Sequence, residues 1–254
     1  MKFIKLFYSV ITYVIFLAVF NYFIVFLGGD ALATCLPLLD SFKTVDNGMA
    51  MFSIPALPAG LSNVFLLLVF ALQHSIMARL GFKKLLARYL PKSTERSTYV
   101  LTTCAVLAWM YIAWQPLPEM VWEVKGAFIH LIGALFLLGA GIVLWSTFMI
   151  SHWELFGLSQ AWHGFRGTQP KENEFTEPAM YKYIRHPLYF GLFLVFWATP
   201  TMTVGHMLLA AVWSIYIFIG IGYEERDLLR QFGDQYRDYM DRVPQLLPFG
   251  RRVP

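Results

Sequence analysis

The segment AFIHLIGALFLLGAGIVLWSTFMI, residues 127–150, contains no Asp, Glu, Lys or Arg, and its one titratable side chain is His130. As a helix rising 1.5 Å per residue it would measure about 36 Å, enough to cross a hydrocarbon layer of roughly 30 Å. It has no polar face, so no side of it suits water. Composition extends that reading to the whole chain of 254 residues. Of these, 57% are hydrophobic and 14% charged, whereas a soluble domain carries about 25% charged residues. The surplus apolar surface needs lipid to cover it.

Five more apolar runs flank this one, at 3–27, 59–78 and 98–114 before it and at 187–199 and 202–222 after it. Together they predict an all-α fold, a polytopic membrane helix bundle of about six helical segments. The run at 187–199 is only roughly 20 Å long as a helix and ends at Thr199-Pro200. With its successor it predicts a tight helical hairpin whose first arm need not reach the far face. The first run lacks a small-residue cleavage pattern and reads as an uncleaved anchor.

Basic residues fall in alternate loops. Lys2 and Lys5, the six from Arg79 to Arg96, Arg166, Lys171, Lys182 and Arg185, and the six from Arg226 to Arg252 make up 18 of the 20. The opposite set holds Lys43 and Lys125. The positive-inside rule places both termini and the larger set in the cytoplasm. It also explains the net charge of +4 without a nucleic-acid partner. One membrane-embedded domain is expected over 1–254. Its first 150 residues supply four helices, and residues 151–254 supply a cytoplasmic-face part with the hairpin and an amphipathic tail. Cys35 and Cys104 lie in different segments without metal-ligand spacing and read as structural. The six histidines are scattered, and no metal site is expected.

Two clusters carry chemistry. In Tyr181-Lys182-Tyr183-Ile184-Arg185-His186-Pro187-Leu188-Tyr189-Phe190-Gly191, Pro187 suits the first position of a helix, because its missing N–H would be unpaired there anyway. Arg185 and His186 then sit at a helix N-terminus, where free N–H groups and the dipole favour an anion such as a carboxylate. Gly191, one turn in, permits close approach by a chain or ligand. The second cluster, Glu224-Glu225-Arg226-Asp227, follows the last apolar run and leads into an amphipathic stretch with Phe232, Tyr236 and Tyr239. The hairpin returns it to His186, so the two clusters offer complementary groups to a zwitterionic ligand.

Arg185-His186-Pro187-x-Tyr189-x-Gly191, then Glu224-Glu225, Phe232-Gly233-x-x-Tyr236-x-x-Tyr239 and Val243-Pro244 resemble the isoprenylcysteine carboxyl methyltransferase and phospholipid methyltransferase superfamily. The resemblance covers about residues 181–250. It implies an S-adenosylmethionine site with Tyr183, His186, Pro187, Tyr189 and Glu224 as contacts, supported by Arg185 and Glu225. Upstream, His74-Ser75-x-x-Ala78-Arg79, Glu95-Arg96-Ser97-Thr98-Tyr99-Val100, Pro116-x-Pro118 and Glu154-Leu155-Phe156-Gly157-Leu158-x-Gln160 resemble bacterial methanethiol S-methyltransferases, related to NnrU-like membrane proteins. That resemblance implies conversion of a small thiol, methanethiol, to dimethyl sulfide, with His74, Ser75 and Gln160 near the acceptor. A phospholipid or isoprenylcysteine methyltransferase, or a non-enzymatic NnrU-like component, remains as an alternative.

Gly139-Ala140-Gly141 lies inside an apolar run with no preceding strand, so it reads as a helix-packing feature and not a dinucleotide loop. Methyl transfer is an in-line displacement that needs an aligned acceptor in its nucleophilic form. A free alkyl thiol is mostly protonated at neutral pH, so a base or a positive field is needed. His152 and Glu154, at the inner end of the fourth segment, are the expected proton acceptors. Trp153, Phe156 and Trp162 either wall an apolar acceptor pocket or anchor the chain at the interface. A transporter would place ionisable groups at the bilayer midplane, and the apolar runs hold almost none.

Overall fold

A computed structural model describes residues 1–33, 36–51, 57–169 and 174–247. Cys35, Lys171, Arg251 and Arg252 lie outside the described residues. Helix α1 covers Lys2–Ala33, α2 Ala59–Ala78, α3 Leu80–Leu86, α4 Lys92–Ala113, and strand β1 Met120–Glu123. Then come α5 Phe128–Ile150, α6 His152–Leu155, α7 Leu158–Arg166 and α8 Pro187–Trp197. Strand β2 Thr201–Thr203, α9 Val204–Phe232 and α10 Asp234–Arg242 complete the order. Each of the six apolar runs thus contains the body of one helix.

Four of these helices, α1, α2, α5 and α9, are long and apolar enough to cross a membrane. Helix α5 shows why lipid is required. Phe136, Ile142 and Val143 are buried while Leu131, Leu138, Leu144 and Phe148 are exposed, so its outer face is as apolar as its inner one. Helix α4 is long but more polar, and it satisfies three of its threonine hydroxyls internally. Thr98, Thr102 and Thr103 donate to the carbonyls of Thr94, Thr98 and Tyr99, one turn back, at 2.9–3.0 Å. The chain is a multi-pass all-α membrane bundle.

The core sits between α1, α2, α4, α8 and α9, around Phe26, Leu67, Trp114, Phe196, Leu209 and Trp213. Helices α5 and α8 meet at a glycine contact. A Cβ on Gly139 would lie 2.8 Å from the carbonyl oxygen of Gly191, and a Cβ on Gly191 the same distance from that of Gly139. The close approach foreseen at Gly191 is therefore made by a neighbouring helix.

Tertiary contacts divide between two ends, as the charge alternation requires. At the basic end Ser97 donates to Ser9 at 2.7 Å, and Arg96 Nε donates to the Leu155 carbonyl at 2.7 Å. At the other end Trp114 Nε1 donates to the Val45 carbonyl at 3.0 Å, and Thr203 donates to Asp46 at 2.6 Å. The all-α expectation needs one addition here, because β1 and β2 pair antiparallel. Strands of four and three residues are too short to leave a periodic signal. Their pairing also completes the hairpin. Helix α8 has 11 residues, about 16 Å, yet the extended chain beyond it continues to the same end as the loop before α5.

Candidate functional site

Pro187 opens α8, and the two residues before it are paired with the tail through their backbones. Arg185 N–H donates to the Pro244 carbonyl at 2.9 Å and His186 N–H to the Gln245 carbonyl at 3.1 Å. This pairing turns both side chains inward, and each residue is only 4% exposed. Glu225 meets them there. His186 Nε2 lies 3.0 Å from its Oε1, and Gln245 Nε2 donates to its Oε2 at 3.2 Å. Arg185 Nε is 3.1 Å from the same Oε1, at ion-pair distance but without hydrogen-bond alignment. Its Nη1 donates to the Met240 carbonyl at 3.2 Å. The charge of Arg185, expected to hold a ligand's carboxylate, is therefore compensated by Glu225 within the protein.

The two adjacent glutamates divide the work, because successive residues on a helix point about 100° apart. Glu225 is buried. The Glu224 side chain is 44% exposed and accepts a hydrogen bond from the Tyr189 hydroxyl at 2.8 Å. His186 Nδ1 lies 3.9 Å from it. Most lone pairs of this carboxylate remain available. Tyr189 is half-buried beside Glu224, while Tyr183 is 70% exposed.

Helix α10 braces this corner. Tyr236, Tyr239 and Val243 pack with Phe175 and Phe232, and the Tyr239 hydroxyl donates to the Tyr181 carbonyl at 2.6 Å. Burial, reinforced by nearby carboxylates, pushes the phenols of Tyr236 and Tyr239 well above their usual range. They stay protonated and can donate at any physiological pH.

A second polar group lies at the same end, on α2, α4 and α9. Tyr99 Oη is 2.9 and 2.8 Å from Nδ1 and Nε2 of His74, and Ser75 Oγ is 3.0 Å from Tyr216 Oη. The Arg96 guanidinium covers the Tyr99 ring at 4.9 Å. The groups converge, since Tyr189 is within electrostatic reach of both Tyr216 and Tyr99. Tyr216, Gly220 and Glu224 form one stripe along α9 at i, i+4 spacing. A Cβ on Gly220 would come 4.0 Å from the Tyr189 hydroxyl. Sequence reasoning singled out His74 and Ser75 as site residues, quoted Tyr99 only within a family motif, and missed Tyr216. The available signal was polar groups recurring on one face of apolar helices.

His152 does not meet its expected role. Thr147 gives its proton to the Leu144 carbonyl at 2.7 Å, so it accepts at 2.7 Å from His152 Nδ1. That leaves the lone pair on Nε2, and Tyr13 Oη covers it at 2.7 Å. Phe148 stacks on the ring at 4.0 Å, and Tyr13 and Phe156 close its edges. Burial lowers its pKa, consistent with a neutral ring that pins α5 to α1. Neither nitrogen is open to a substrate. Glu154 lies within the field of Arg96, and Gln160 Nε2 donates to the Glu154 carbonyl at 3.0 Å. Phe156 belongs to the α1–α4 packing, while Trp153 and Trp162 are exposed in the manner of interfacial anchors.

This fold and corner define a membrane-embedded methyltransferase, and the family model for phospholipid methyltransferase matches residues 128–235. A methanethiol S-methyltransferase of Mycobacterium tuberculosis is 42% identical over 252 residues, 99% of this chain and 98% of that one. Methanethiol S-methyltransferase 1 of Bradyrhizobium diazoefficiens is 41% identical over 254 residues, covering 99% and 85%. The enzyme of the same name from Pseudomonas deceptionensis is 45% identical over 213 residues, covering 84% and 80%. The chain belongs to the methanethiol S-methyltransferase family. No solved structure matches it.

Proposed function

We propose that this enzyme transfers a methyl group from S-adenosylmethionine to the sulfur of methanethiol, giving dimethyl sulfide, at the cytoplasmic face of the bacterial inner membrane. The observation that carries the donor assignment is the division of the glutamate pair. Glu225 is taken up by Arg185 and His186, while Glu224 keeps an open carboxylate beside Tyr189. The donor set fits a ligand with cationic groups and a polar sugar. Glu224 accepts hydrogen bonds from hydroxyls or an ammonium, and the phenols of Tyr189 and Tyr216 offer both a polar tip and an electron-rich face. S-adenosylmethionine supplies a methyl group activated on a sulfonium sulfur. Arg185, His186, Pro187, Glu225 and Gln245 position Glu224 and Tyr189 and do not touch the ligand themselves. Glu154 serves as counter-charge to Arg96, and Gln160 holds the backbone that carries it.

The substrate assignment rests on the names of the relatives and on the small polar group at His74, Ser75, Tyr99 and Tyr216. Purified protein supplied with methyl-labelled S-adenosylmethionine and, separately, methanethiol, phosphatidylethanolamine and a prenyl cysteine should yield labelled dimethyl sulfide alone. Labelled lipid or prenyl ester, with no labelled sulfide, would overturn the acceptor and leave the donor site standing.

Orientation follows from the alternation of basic residues along the sequence, 18 in one set of loops against two in the other. Reporters fused after residues 40 and 120 should signal the outside, and those after 90, 170 and 254 the inside. The reverse pattern would move the site to the wrong compartment for its donor.

A further inference from the structure

Outside the Arg185–Glu225 corner, the described histidines differ in what holds them. His152 is sealed between Thr147 and Tyr13. His206 is fully buried against the Phe196 carbonyl and Asp46 at the other end. His163 binds Thr168 beyond the bundle. His74 is placed otherwise. It is half-buried at the basic end, with one face stacked on Phe70 at 5.4 Å. Its edge meets a phenol, Tyr99, that straddles both ring nitrogens at 2.9 and 2.8 Å. The in-plane bonding directions of the two nitrogens diverge, so this one hydroxyl can bond only one of them at a time, and the other is left for a third group.

The surroundings are specific. From α4, Arg96 lies over the Tyr99 ring at 4.9 Å. From α9, Tyr216 is in electrostatic reach of Tyr99, with its hydroxyl on Ser75. From α8, Tyr189 is in reach of both phenols and binds Glu224. The pair therefore lies between the open carboxylate, assigned above to the methyl donor, and the half-buried cation Arg96, which has no role in that corner.

We propose that Tyr99 and His74 form the acceptor's proton relay, an inference that rests on the thiol-methyltransferase reading. The acceptor S–H bond breaks and its proton passes to the Tyr99 oxygen as the phenol's own proton moves to His74. The sulfur is left as a thiolate hydrogen-bonded to Tyr99 O–H, with Arg96 behind the ring offsetting its negative charge. The thiolate then forms its bond to the methyl group as the old methyl–sulfur bond breaks. The electron pair of that bond stays with the departing thioether, and the proton on His74 returns to solvent. Tyr99 is the catalytic residue by contact, while His74 acts through it.

The test separates this relay from the reading beneath it. In His74→Gln the rate near neutral pH should fall by about a hundred-fold, within the range for losing a general base. The rate should then climb about tenfold per pH unit as free thiolate accumulates, whereas the wild-type rate is flat over that range. Tyr99→Phe should show the same slope. Affinity for S-adenosylmethionine should match wild type in both, which also certifies that they fold. A second readout needs no turnover. With S-adenosylhomocysteine bound, methanethiol should produce the ultraviolet absorbance of a thiolate at neutral pH in wild type and not in either variant. Variants with the wild-type pH profile and thiolate signal would overturn the relay. A wild-type enzyme that makes no dimethyl sulfide at any pH would instead overturn the substrate reading.

Discussion

Glu225→Ala is expected to cost the protein most of its stability, while Glu224→Ala at the next position should cost little. Glu225 is the one carboxylate at ion-pair distance from Arg185 among the described residues, and Arg185 is 4% exposed. Removing one partner of a buried pair leaves a charge without compensation, typically about 3–5 kcal/mol. That is a large part of a folded protein's margin. The loss should spread, since His186 and Gln245 also bind Glu225 and Gln245 anchors the tail to the start of α8. Replacing both partners, Arg185→Met with Glu225→Leu, should recover much of the stability and none of the activity, because the stranded charge is gone but the corner no longer sets Glu224 and Tyr189. Thermal unfolding in detergent checks all three. Equal midpoints for the Glu224→Ala and Glu225→Ala variants would mean that the two glutamates are equivalent.

The membrane architecture was legible because lipid imposes a length. Each of the six apolar runs holds one helix, and among the described residues the loop charges sort onto the two ends that the contacts define. The site was legible in part. Arg185-His186-Pro187 and Glu224-Glu225 do come together, yet the sequence treats neighbouring glutamates alike. What separates them is the helix rotation relative to α8 and the tail, which only packing determines. His152 misled for the same reason. Its partners are Thr147, five residues before it, and Tyr13, 139 residues away, and no local pattern links the three. Tyr216, and the role of Tyr99 within its motif, were hidden by their setting, because an aromatic residue in an apolar run ordinarily marks an interface or a core contact. Tyr183 matched the family motif by position, but at 70% exposure it does not join the cluster.

Glu224→Gln should leave folding untouched and weaken the methyl donor's binding. The side chain is nearly isosteric, half-exposed and free of any ion pair closer than His186 at 3.9 Å, so neither packing nor the buried Arg185–Glu225 pair is disturbed. What changes is the acceptor. A charged carboxylate becomes a neutral amide, and a charge-assisted hydrogen bond contributes about 1.5–3 kcal/mol. The dissociation constant should rise roughly ten- to a hundred-fold. Tyr189→Phe, which removes the phenol bound to Glu224, should produce a smaller rise in the same direction. Titrating S-adenosylmethionine into detergent-purified wild type and Glu224→Gln by calorimetry, without acceptor, measures the quantity at issue. The expected result is a rise in dissociation constant within that range at an unchanged unfolding temperature. A variant that folds normally and binds the donor as tightly as wild type would contradict the assignment of this corner as the donor site.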